Sequence, residues 1–276
     1  MIRATTRLAC VLGDPVEHSR SPAMQNAAIR ELGLDCVYVA FRIPAAGFGT
    51  AVHGLAALGV TGANVTLPHK EAAALLCDSL SEEAVAAGAA NTLRFHDGRI
   101  DGHLTDGLGM LDALRDEGVD PDGRPALVVG AGGSARAAAA ALLAAGAGPV
   151  RLLARRAEAA RALSHALTPV GRVELVSTPP PEPLGIVVHC TPVGGLSELE
   201  ALPLPADALE RMDIVCDFAY RADGSSTPLI AASAARGLVA IDGLELLVRQ
   251  GARSFTLFFG APAPLAAMRA AARERA

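Results

Sequence analysis

The chain has 276 residues, a formal net charge of −5 at pH 7, 51% hydrophobic residues and only 3% aromatic residues. The length allows two domains, or one large domain, with a sizeable buried core. The negative charge and the lack of a basic cluster argue against a nucleic-acid-binding surface. Five scattered cysteines without a CxxC pair predict reduced thiols, not a zinc site, another metal site or a disulfide framework.

The apolar segments of the chain are short. Residues 8–12 are too few for the hydrophobic core of a signal peptide, and the Ala-rich stretch 137–148 falls short of a membrane span. We therefore expect a cytoplasmic protein without a membrane partner. The sequence leaves its oligomeric state open between a monomer and a homodimer.

The first third of the chain alternates between apolar runs and amphipathic segments. This β-α-β-α-β order predicts a parallel sheet with right-handed crossovers. Ser21 is expected to cap the first helix, with Pro22 at its first position. The predicted strands are 8–12, 36–42 and 60–65, and the predicted helices are 22–32 and 47–58.

Lys70 is the only lysine in the chain, because the other 23 of its 24 basic residues are arginine. A compositional bias towards arginine explains most of these positions, but a retained lysine suggests a task that arginine cannot perform. Lysine can lose its proton in a desolvated site, whereas arginine stays protonated. The alternative is a lysine retained by chance in a solvated loop.

Polar residues follow the predicted strands at their carboxyl ends, where open α/β sheets bind ligands. Ser19, Ser21, Thr66 and Lys70 have this position. Taken singly, Ser21 fits a helix cap, Ser19 a solvated loop residue and Thr66 a strand-end residue. Together the four residues favour a site for a polyol or a carboxylate. Asp106, at the start of a later helix, is either an N-cap carboxylate or a partner of Lys70.

The second half begins with a strand at 126–129, followed by Gly130-Ala131-Gly132-Gly133-Ser134-Ala135 and an Ala-rich helix that runs to about residue 146. This GxGxxA pattern in a strand–turn–helix setting predicts dinucleotide binding. The glycines let backbone N–H groups approach a pyrophosphate at the helix N-terminus.

The next strand, 150–154, is followed by Arg155 and Arg156 and by no acidic residue. An acidic residue there would favour NAD, and arginine accommodates the 2′-phosphate of NADP. The sequence therefore predicts NADP, the alternative being a solvated helix start. Further strands are predicted at 185–188, 214–216 and 238–241, with helices at 227–236, at 243–258 and after Pro264.

The ordered motifs of the chain resemble the shikimate dehydrogenase family over nearly its whole length. Several motifs in a consistent order are far more specific than a single glycine loop. The motifs are Ser19-Arg20-Ser21-Pro22, Asn64-Val65-Thr66-Leu67-Pro68-His69-Lys70, Ala90-Asn91-Thr92, Thr105-Asp106-Gly107, the loop 130–135, Thr191-Pro192-Val193-Gly194, Tyr220, Asp242-Gly243-Leu244 and Gln250.

The resemblance implies a two-domain α/β fold. An N-terminal substrate-binding domain with a mostly parallel sheet, residues 1–106, is completed by C-terminal helices within 243–276. A Rossmann-like NADP-binding domain, residues 107–242, is inserted between them.

The resemblance also implies a reversible, NADP-dependent reduction of 3-dehydroshikimate to shikimate, a step in chorismate and aromatic amino acid biosynthesis. Lys70 and Asp106 would form the catalytic acid–base pair. The remaining site residues divide by ligand: Ser19, Ser21, Thr66, Asn91, Tyr220 and Gln250 would bind substrate, and Gly130, Ala131, Gly132, Gly133, Ser134, Ala135, Arg155, Arg156, Thr191 and Gly243 would bind the cofactor.

Two positions depart from the family pattern, because Leu104 and His189 stand where the family usually has asparagine. Leu104 removes a polar group near the predicted site, which leaves quinate or an aminoshikimate as alternative substrates. A non-catalytic nucleotide-binding regulatory protein is the alternative from another class, since a fold alone does not establish function. Retention of both Lys70 and Asp106 argues against it.

Overall fold

The computed structural model describes residues 2–195 and 201–274. It divides into two compact units, each with its own six-stranded sheet. The first unit contains the described residues up to Thr105 together with Val248–Glu274, and the second contains the described residues of Asp106–Leu247. No helix in the described ranges is long and apolar enough to cross a membrane.

The first unit contains six strands, which form a sheet in the order β2-β1-β3-β5-β6-β4. Its strands are β1 (Arg7–Gly13), β2 (Cys36–Arg42), β3 (Gly62–Val65), β4 (Ser79–Leu80), β5 (Thr92–His96) and β6 (Arg99–His103). Its helices are α1 (Ser21–Glu31), α2 (Phe48–Ala57), α3 (Lys70–Leu75) and α4 (Glu82–Ala87), with α10 (Leu265–Arg273) from the C-terminal part of the chain.

The sheet of the first unit is parallel on one side and mixed on the other. β1 pairs in parallel with both β2 and β3, and β6 pairs in parallel with β4. β5 is antiparallel to both β3 and β6. Asp97 and Gly98 form the turn of the β5–β6 hairpin, and both have positive φ angles, as a two-residue hairpin turn with right-handed twist requires.

The core of the first unit lies where the central strands meet α2. Leu12 of β1, Val65 of β3 and Leu93 of β5 pack with Phe48 and Val52, all nearly inaccessible to solvent. Continuous burial along β1 and β3 is typical of central strands covered on both faces. These strands therefore form a rigid base for the loops at their carboxyl ends.

The second unit contains six strands, all parallel, in the order β12-β11-β10-β7-β8-β9. Its strands are β7 (Ala126–Val129), β8 (Val150–Leu153), β9 (Val173–Val176), β10 (Gly185–His189), β11 (Met212–Asp217) and β12 (Val239–Ile241). Its helices are α6 (Gly133–Ala144), α7 (Ala157–Ala166) and α8 (Pro228–Ala234).

The strand order of the second unit reverses between β7 and β10. From β7 the chain builds outward through β8 and β9, and then returns to add β10, β11 and β12 on the other side. Such a reversal opens a crevice at the carboxyl ends of the two central strands, where this class of sheet binds nucleotides. The segments after β7 and β10 are therefore the expected ligand-binding segments.

Two helices contain the boundaries between the units along the chain. α5 (Thr105–Asp116) has only its first residue in the first unit, and α9 (Gly243–Phe259) has its boundary between Leu247 and Val248. Asp106 is therefore the second residue of α5, inside the first turn, and its alternative role as an N-cap is wrong.

The N-cap prediction for Ser21 is also wrong, by one residue. α1 begins at Ser21, and the cap position is Arg20, whose side chain makes no capping hydrogen bond. Pro22, which lacks a backbone N–H, still lies in the first turn, where no intrahelical partner is needed.

Candidate active site

The loops that follow β1 and β3 are held together by backbone hydrogen bonds. The N–H of Thr66 donates to the carbonyl of Leu12 (2.8 Å), and the N–H of Asp14 donates to the carbonyl of Leu67 (2.9 Å). A Cβ atom at Gly13 would collide with the Thr66 methyl group, so only glycine allows this close approach. The strand-end position predicted for Thr66 is thus structurally defined.

Ser19 and Ser21 lie together at the start of α1. The backbone N–H of Ser21 donates to the Ser19 hydroxyl (3.3 Å), which turns the loop into the helix. Ser21 is buried and Ser19 is half-buried. Both predicted substrate-binding serines therefore occupy the loop that β1 leads into.

Lys70 opens α3 and is buried, with 8% of its surface exposed. Its backbone carbonyl accepts a hydrogen bond from the N–H of Ala90 (2.8 Å), the residue before Asn91. The preceding residue, His69, stacks on the Phe48 ring at 4.4 Å and donates through Nε2 to the Ile43 carbonyl (2.7 Å). A burial this deep excludes the alternative of a lysine in a solvated loop.

Asn91 joins three separate parts of the chain. Its Oδ1 accepts from the backbone N–H of Thr105 (2.8 Å), and its Nδ2 donates to Oε1 of Gln250 in α9 (3.3 Å). Asn91 and Gln250 are both buried. The structure therefore brings together two of the predicted substrate-binding residues that lie far apart in sequence.

A buried hydrogen-bond network extends from Asn91 to residues that the sequence analysis did not assign to the site. Asn64 Nδ2 donates to the Thr92 hydroxyl (3.1 Å), and the Thr92 hydroxyl donates to Asn91 Oδ1 (3.2 Å). The Tyr38 hydroxyl donates to Asn64 Oδ1 (2.8 Å). Burial raises the pKa of Tyr38 well above its ordinary value, so the phenol stays a neutral donor.

These additional residues carried different signals in the sequence. Asn64 lies in the motif that ends at Lys70, and Thr92 lies in the motif that begins at Ala90. Their place in these motifs could therefore have assigned them to the site. Tyr38 lies in the middle of β2 and belongs to no motif. Ser254 of α9, whose hydroxyl is 3.5 Å from Asn64 Oδ1, had no signal either.

The predicted catalytic pair lies in different units. Lys70 belongs to the first unit and Asp106 to the second, directly after Thr105 in the chain. Asp106 is buried, with 6% of its surface exposed. Thr105 itself belongs to the first unit and is anchored there by Asn91, so the residue before Asp106 has a defined position.

The glycine loop after β7 has the backbone geometry that a dinucleotide site needs. Gly130 has φ of +122°, and a Cβ at this position would lie 3.2 Å from the Cys190 carbonyl oxygen and 3.3 Å from Thr191 Cγ2. A Cβ at Gly132 would meet nothing within 4 Å. Gly132 precedes the twelve-residue helix α6, so open space lies at a helix N-terminus, which attracts anions.

The other members of the loop support this geometry. Gly133 and Ala135 are buried in the first turn of α6, and Ala131 and Ser134 are half-buried. The loop therefore presents backbone outward and places its small side chains against the unit.

Arg155 and Arg156 follow β8 and are exposed. Arg156 is the cap residue of α7, without a capping side-chain bond. By contrast, Arg151 within β8 lies 3.3 Å from the Glu174 carboxylate on the neighbouring strand. The two predicted cofactor arginines thus lie at the carboxyl end of β8, where a ribose phosphate can reach them.

Three further predicted residues lie at the carboxyl ends of β10 and β11 or at the start of α9. Thr191 follows β10, Tyr220 follows β11 and is half-buried, and Gly243 is the first residue of α9. A Cβ at Gly243 would collide with the Ala219 carbonyl. Gly243 therefore allows α9 to begin directly against the β11 loop, in the same unit as Tyr220.

Within residues 2–195 and 201–274, no group of three or more His, Cys, Asp or Glu side chains could hold a metal ion. Their five cysteines are all free thiols.

Comparison with known proteins identifies the family. A model of the shikimate dehydrogenase substrate binding domain matches residues 11–93, and a model of the shikimate 5'-dehydrogenase C-terminal domain matches residues 243–273. A shikimate dehydrogenase (NADP(+)) of Moorella thermoacetica is 39% identical over 281 residues, which cover 99% of this chain and 95% of that protein. The chain belongs to the shikimate dehydrogenase family. The resemblance carried by the sequence motifs is thereby confirmed.

Two further members of the shikimate dehydrogenase family match at similar levels. The NADP(+) enzyme of Anaeromyxobacter sp. is 43% identical over 285 residues, 98% of this chain and 97% of its own. The crystal structure of the Thermus thermophilus enzyme in complex with NADP(H) and shikimate is 36% identical. It superposes with a TM-score of 0.87 and covers 97% of this chain and 98% of that one. The predicted α/β fold class is confirmed.

The two matched family models contain many of the predicted site residues. The substrate-binding model includes Ser19, Ser21, Thr66, Lys70 and Asn91. The C-terminal model includes Gly243 and Gln250. The Asn91–Gln250 hydrogen bond therefore joins two segments that the family models describe separately.

Proposed function

We propose that the chain catalyses the reversible, NADP-dependent reduction of 3-dehydroshikimate to shikimate, a step in aromatic amino acid biosynthesis. One observation carries the proposal. The buried Asn91–Gln250 amide pair lies beside the backbone of a buried Lys70, in a chain that matches NADP-dependent shikimate dehydrogenases over nearly its full length.

The residues after β7 and β8 fit NADP. Gly132 leaves room at the start of α6 for the pyrophosphate, and Arg155 and Arg156 supply cations for the 2′-phosphate. The relatives named above are NADP(+) enzymes, which confirms the prediction of NADP as cofactor. When bound, NADP would supply the hydride acceptor for the alcohol carbon, and NADPH would supply the hydride donor for the reverse reaction. Ala131, Gly133, Ser134, Ala135, Thr191 and Gly243 are proposed to complete the cofactor site.

The first unit is proposed as the substrate-binding domain and the second as the cofactor-binding domain. The hydroxyl groups of Ser19, Ser21 and Thr66 and the amides of Asn91 and Gln250 suit a ligand rich in hydroxyl and carboxylate oxygens. Tyr220 of the second unit is proposed to add a further hydroxyl contact. Defined amide orientations support this role, because an oriented donor loses less entropy on binding.

Lys70 is proposed to move the proton. In the oxidation direction, the O–H bond of the alcohol breaks and the proton goes to the neutral amine of Lys70, while the carbon loses hydride and becomes a carbonyl. In the reduction direction, the Lys70 ammonium returns that proton to the carbonyl oxygen. The Asp106 carboxylate is proposed to orient the amine. Both residues are linked to the Asn91 region. The Lys70 carbonyl accepts a hydrogen bond from the N–H of Ala90, and Asp106 directly follows Thr105, whose N–H donates to Asn91.

The test is a set of hydride-transfer assays that follow NADPH absorbance. Purified protein is incubated with shikimate or quinate, each with NADP or NAD. We expect the highest kcat/KM for shikimate with NADP. A higher value for quinate would favour the alternative that Leu104 raises, and no hydride transfer with any pair would favour a nucleotide-binding regulatory protein.

A further inference from the structure

We propose that His189 is a positioning residue for the cofactor segment that follows β10. His189 holds the hydroxyl of Thr191 in a fixed position. Thr191 in turn packs against Gly130 and forms one side of the proposed cofactor site. This inference rests on the proposed role of Thr191 in cofactor binding.

His189 and Asp217 form a fully buried pair. They are register partners at the carboxyl ends of β10 and β11, and neither side chain is accessible to solvent. His189 Nδ1 lies 2.8 Å from Asp217 Oδ1. A buried carboxylate needs several donors to offset its lost hydration. Asp217 has them, because the Ala219 N–H (2.9 Å) and the Thr227 hydroxyl (2.5 Å) also donate to it.

The hydrogen bond to Asp217 orients the His189 ring and so determines which ring nitrogen faces Thr191. A carboxylate oxygen accepts hydrogen bonds, so Nδ1 of His189 is the donor in this pair. The other nitrogen, Nε2, makes a hydrogen bond with the Thr191 hydroxyl. The same hydroxyl accepts from the backbone N–H of Val193 (3.4 Å). Asp217 thus orients the ring, and the ring orients Thr191.

Thr191 forms part of the nucleotide crevice. The residue before it, Cys190, donates its N–H to the Val129 carbonyl at the end of β7 (2.8 Å). Thr191 Cγ2 would lie 3.3 Å from a Cβ at Gly130, so the two segments are in close contact. β7 and β10 are the central strands at which the order of the sheet reverses. A displaced Thr191 would therefore change the shape of the cofactor site.

The alternative is that the buried pair only stabilises the sheet. The two roles differ in what they affect: a positioning residue changes cofactor affinity, whereas a stabilising pair changes the melting temperature alone. His189→Asn separates them. Its amide nitrogen replaces Nδ1 and keeps a donor for Asp217, but the shorter side chain ends before the position of Nε2 and loses Thr191.

The experiment measures the Kd for NADP+ and the melting temperature of His189→Asn, Thr191→Val and the double variant. We expect each single variant to raise Kd about tenfold, the worth of roughly one hydrogen bond, and the double variant to raise it no further. The KM for shikimate should stay within about twofold. Thr227→Val is the matched control, because it removes another donor to Asp217 without touching Thr191. It should lower the melting temperature and leave Kd within about twofold.

The outcomes separate the failure of this inference from that of the proposed function. If Thr191→Val raises Kd and His189→Asn does not, Thr191 binds cofactor but His189 does not position it. If neither changes Kd, the cofactor role of Thr191 is wrong as well. If His189→Asn does not fold, NMR of the unmutated chain provides a second test. The imidazole ¹⁵N resonance that Thr191→Val alters should shift when NADP+ is added, and a constant resonance overturns the inference.

Discussion

Asn91 Nδ2 donates a 3.3 Å hydrogen bond to Oε1 of Gln250, a residue 159 positions later in the chain. The bond orients both amides before any ligand arrives. It also ties the part of α9 that belongs to the first unit to the residue before β5. The integrity of this pair should therefore decide how well the first unit binds substrate.

Gln250→Leu should weaken substrate binding without unfolding the chain. The substitution keeps the volume of the side chain but removes its hydrogen bonds, and Asn91 Nδ2 still has the Thr105 hydroxyl as an acceptor at 3.1 Å. We expect the KM for shikimate to rise about tenfold or more, with the Kd for NADP+ unchanged. Gln25→Leu is the matched control. That buried glutamine donates to the Gly251 carbonyl and should affect only stability. An unchanged KM in Gln250→Leu would remove Gln250 from the site.

Lys70→Met should abolish most turnover while the chain still folds and binds NADP+. Methionine has a similar length but cannot accept or release a proton. Loss of general acid–base catalysis costs about 10² to 10⁴ in kcat. Lys70→Arg keeps the positive charge and should be nearly as inactive, since arginine does not release its proton. Steady-state kinetics and the NADP+ Kd measure the two effects, and near-normal turnover in either variant would contradict the role proposed for Lys70.

Two alanine substitutions in the glycine loop should differ in their effect on stability. At Gly130, φ is +122° and a Cβ meets the Cys190 carbonyl at 3.2 Å, so alanine should lower the free energy of unfolding by about 1–3 kcal/mol. At Gly132, φ is −94° and a Cβ meets no protein atom within 4 Å, so alanine should leave stability within about 0.5 kcal/mol. If the open space at Gly132 is the pyrophosphate site, Gly132→Ala should still raise the Kd for NADP+. Chemical denaturation and NADP+ titration check both expectations.

Arg155→Ala and Arg156→Ala should reduce the preference for NADP over NAD. Each arginine bonded to the 2′-phosphate contributes about 1.5–3 kcal/mol, so the KM for NADP+ should rise about tenfold to a hundredfold. The KM for NAD+ should not rise. Arg151→Ala serves as the control, because Arg151 pairs with Glu174 inside the sheet. Equal changes in both cofactors would show that the arginines do not read the 2′-phosphate.

The Asp101 carboxylate should stabilise the first unit at neutral pH but not in strong acid. A hydrogen bond from the Ser79 hydroxyl (2.6 Å), followed by one from the His96 ring, lowers the pKa of Asp101 below its ordinary value of 3.8 despite partial burial. The stabilisation is therefore complete above pH 3.8 and disappears as the pH falls through the folded-state pKa. Asp101→Asn should lose about 1 kcal/mol of unfolding free energy at pH 7 and very little at pH 2. Urea denaturation at the two pH values measures this difference.

The strands predicted most accurately are those that a local run of apolar residues defines. β2 (Cys36–Arg42) and β7 (Ala126–Val129) have the predicted bounds, because long apolar runs end at charged or glycine residues. β9 (Val173–Val176) was not predicted, since four residues at the edge of a sheet carry little periodicity. The antiparallel β5–β6 hairpin was not specified either, although Asp97-Gly98 is the dipeptide that favours such a turn.

The chemistry of the site was partly predictable for a different reason. Lys70 and the glycine loop were predictable because proton transfer and pyrophosphate binding require these residue types and because both lie in sequence motifs. Tyr38 and Ser254 were missed because their importance comes from side-chain contacts across the sheet, which no local pattern encodes. His189 was noticed only as a departure from the family, and its partner Asp217 is defined by the β10–β11 register alone.

The burial of Lys70 also determines how the protein responds to amine-directed chemistry. No other lysine competes for a reagent, and this one has only 8% of its surface exposed. Acylating probes and cross-linkers should therefore modify this lysine slowly while the protein is folded and rapidly once it is denatured. Any mass increment found at Lys70 itself would report how often the protein opens around it.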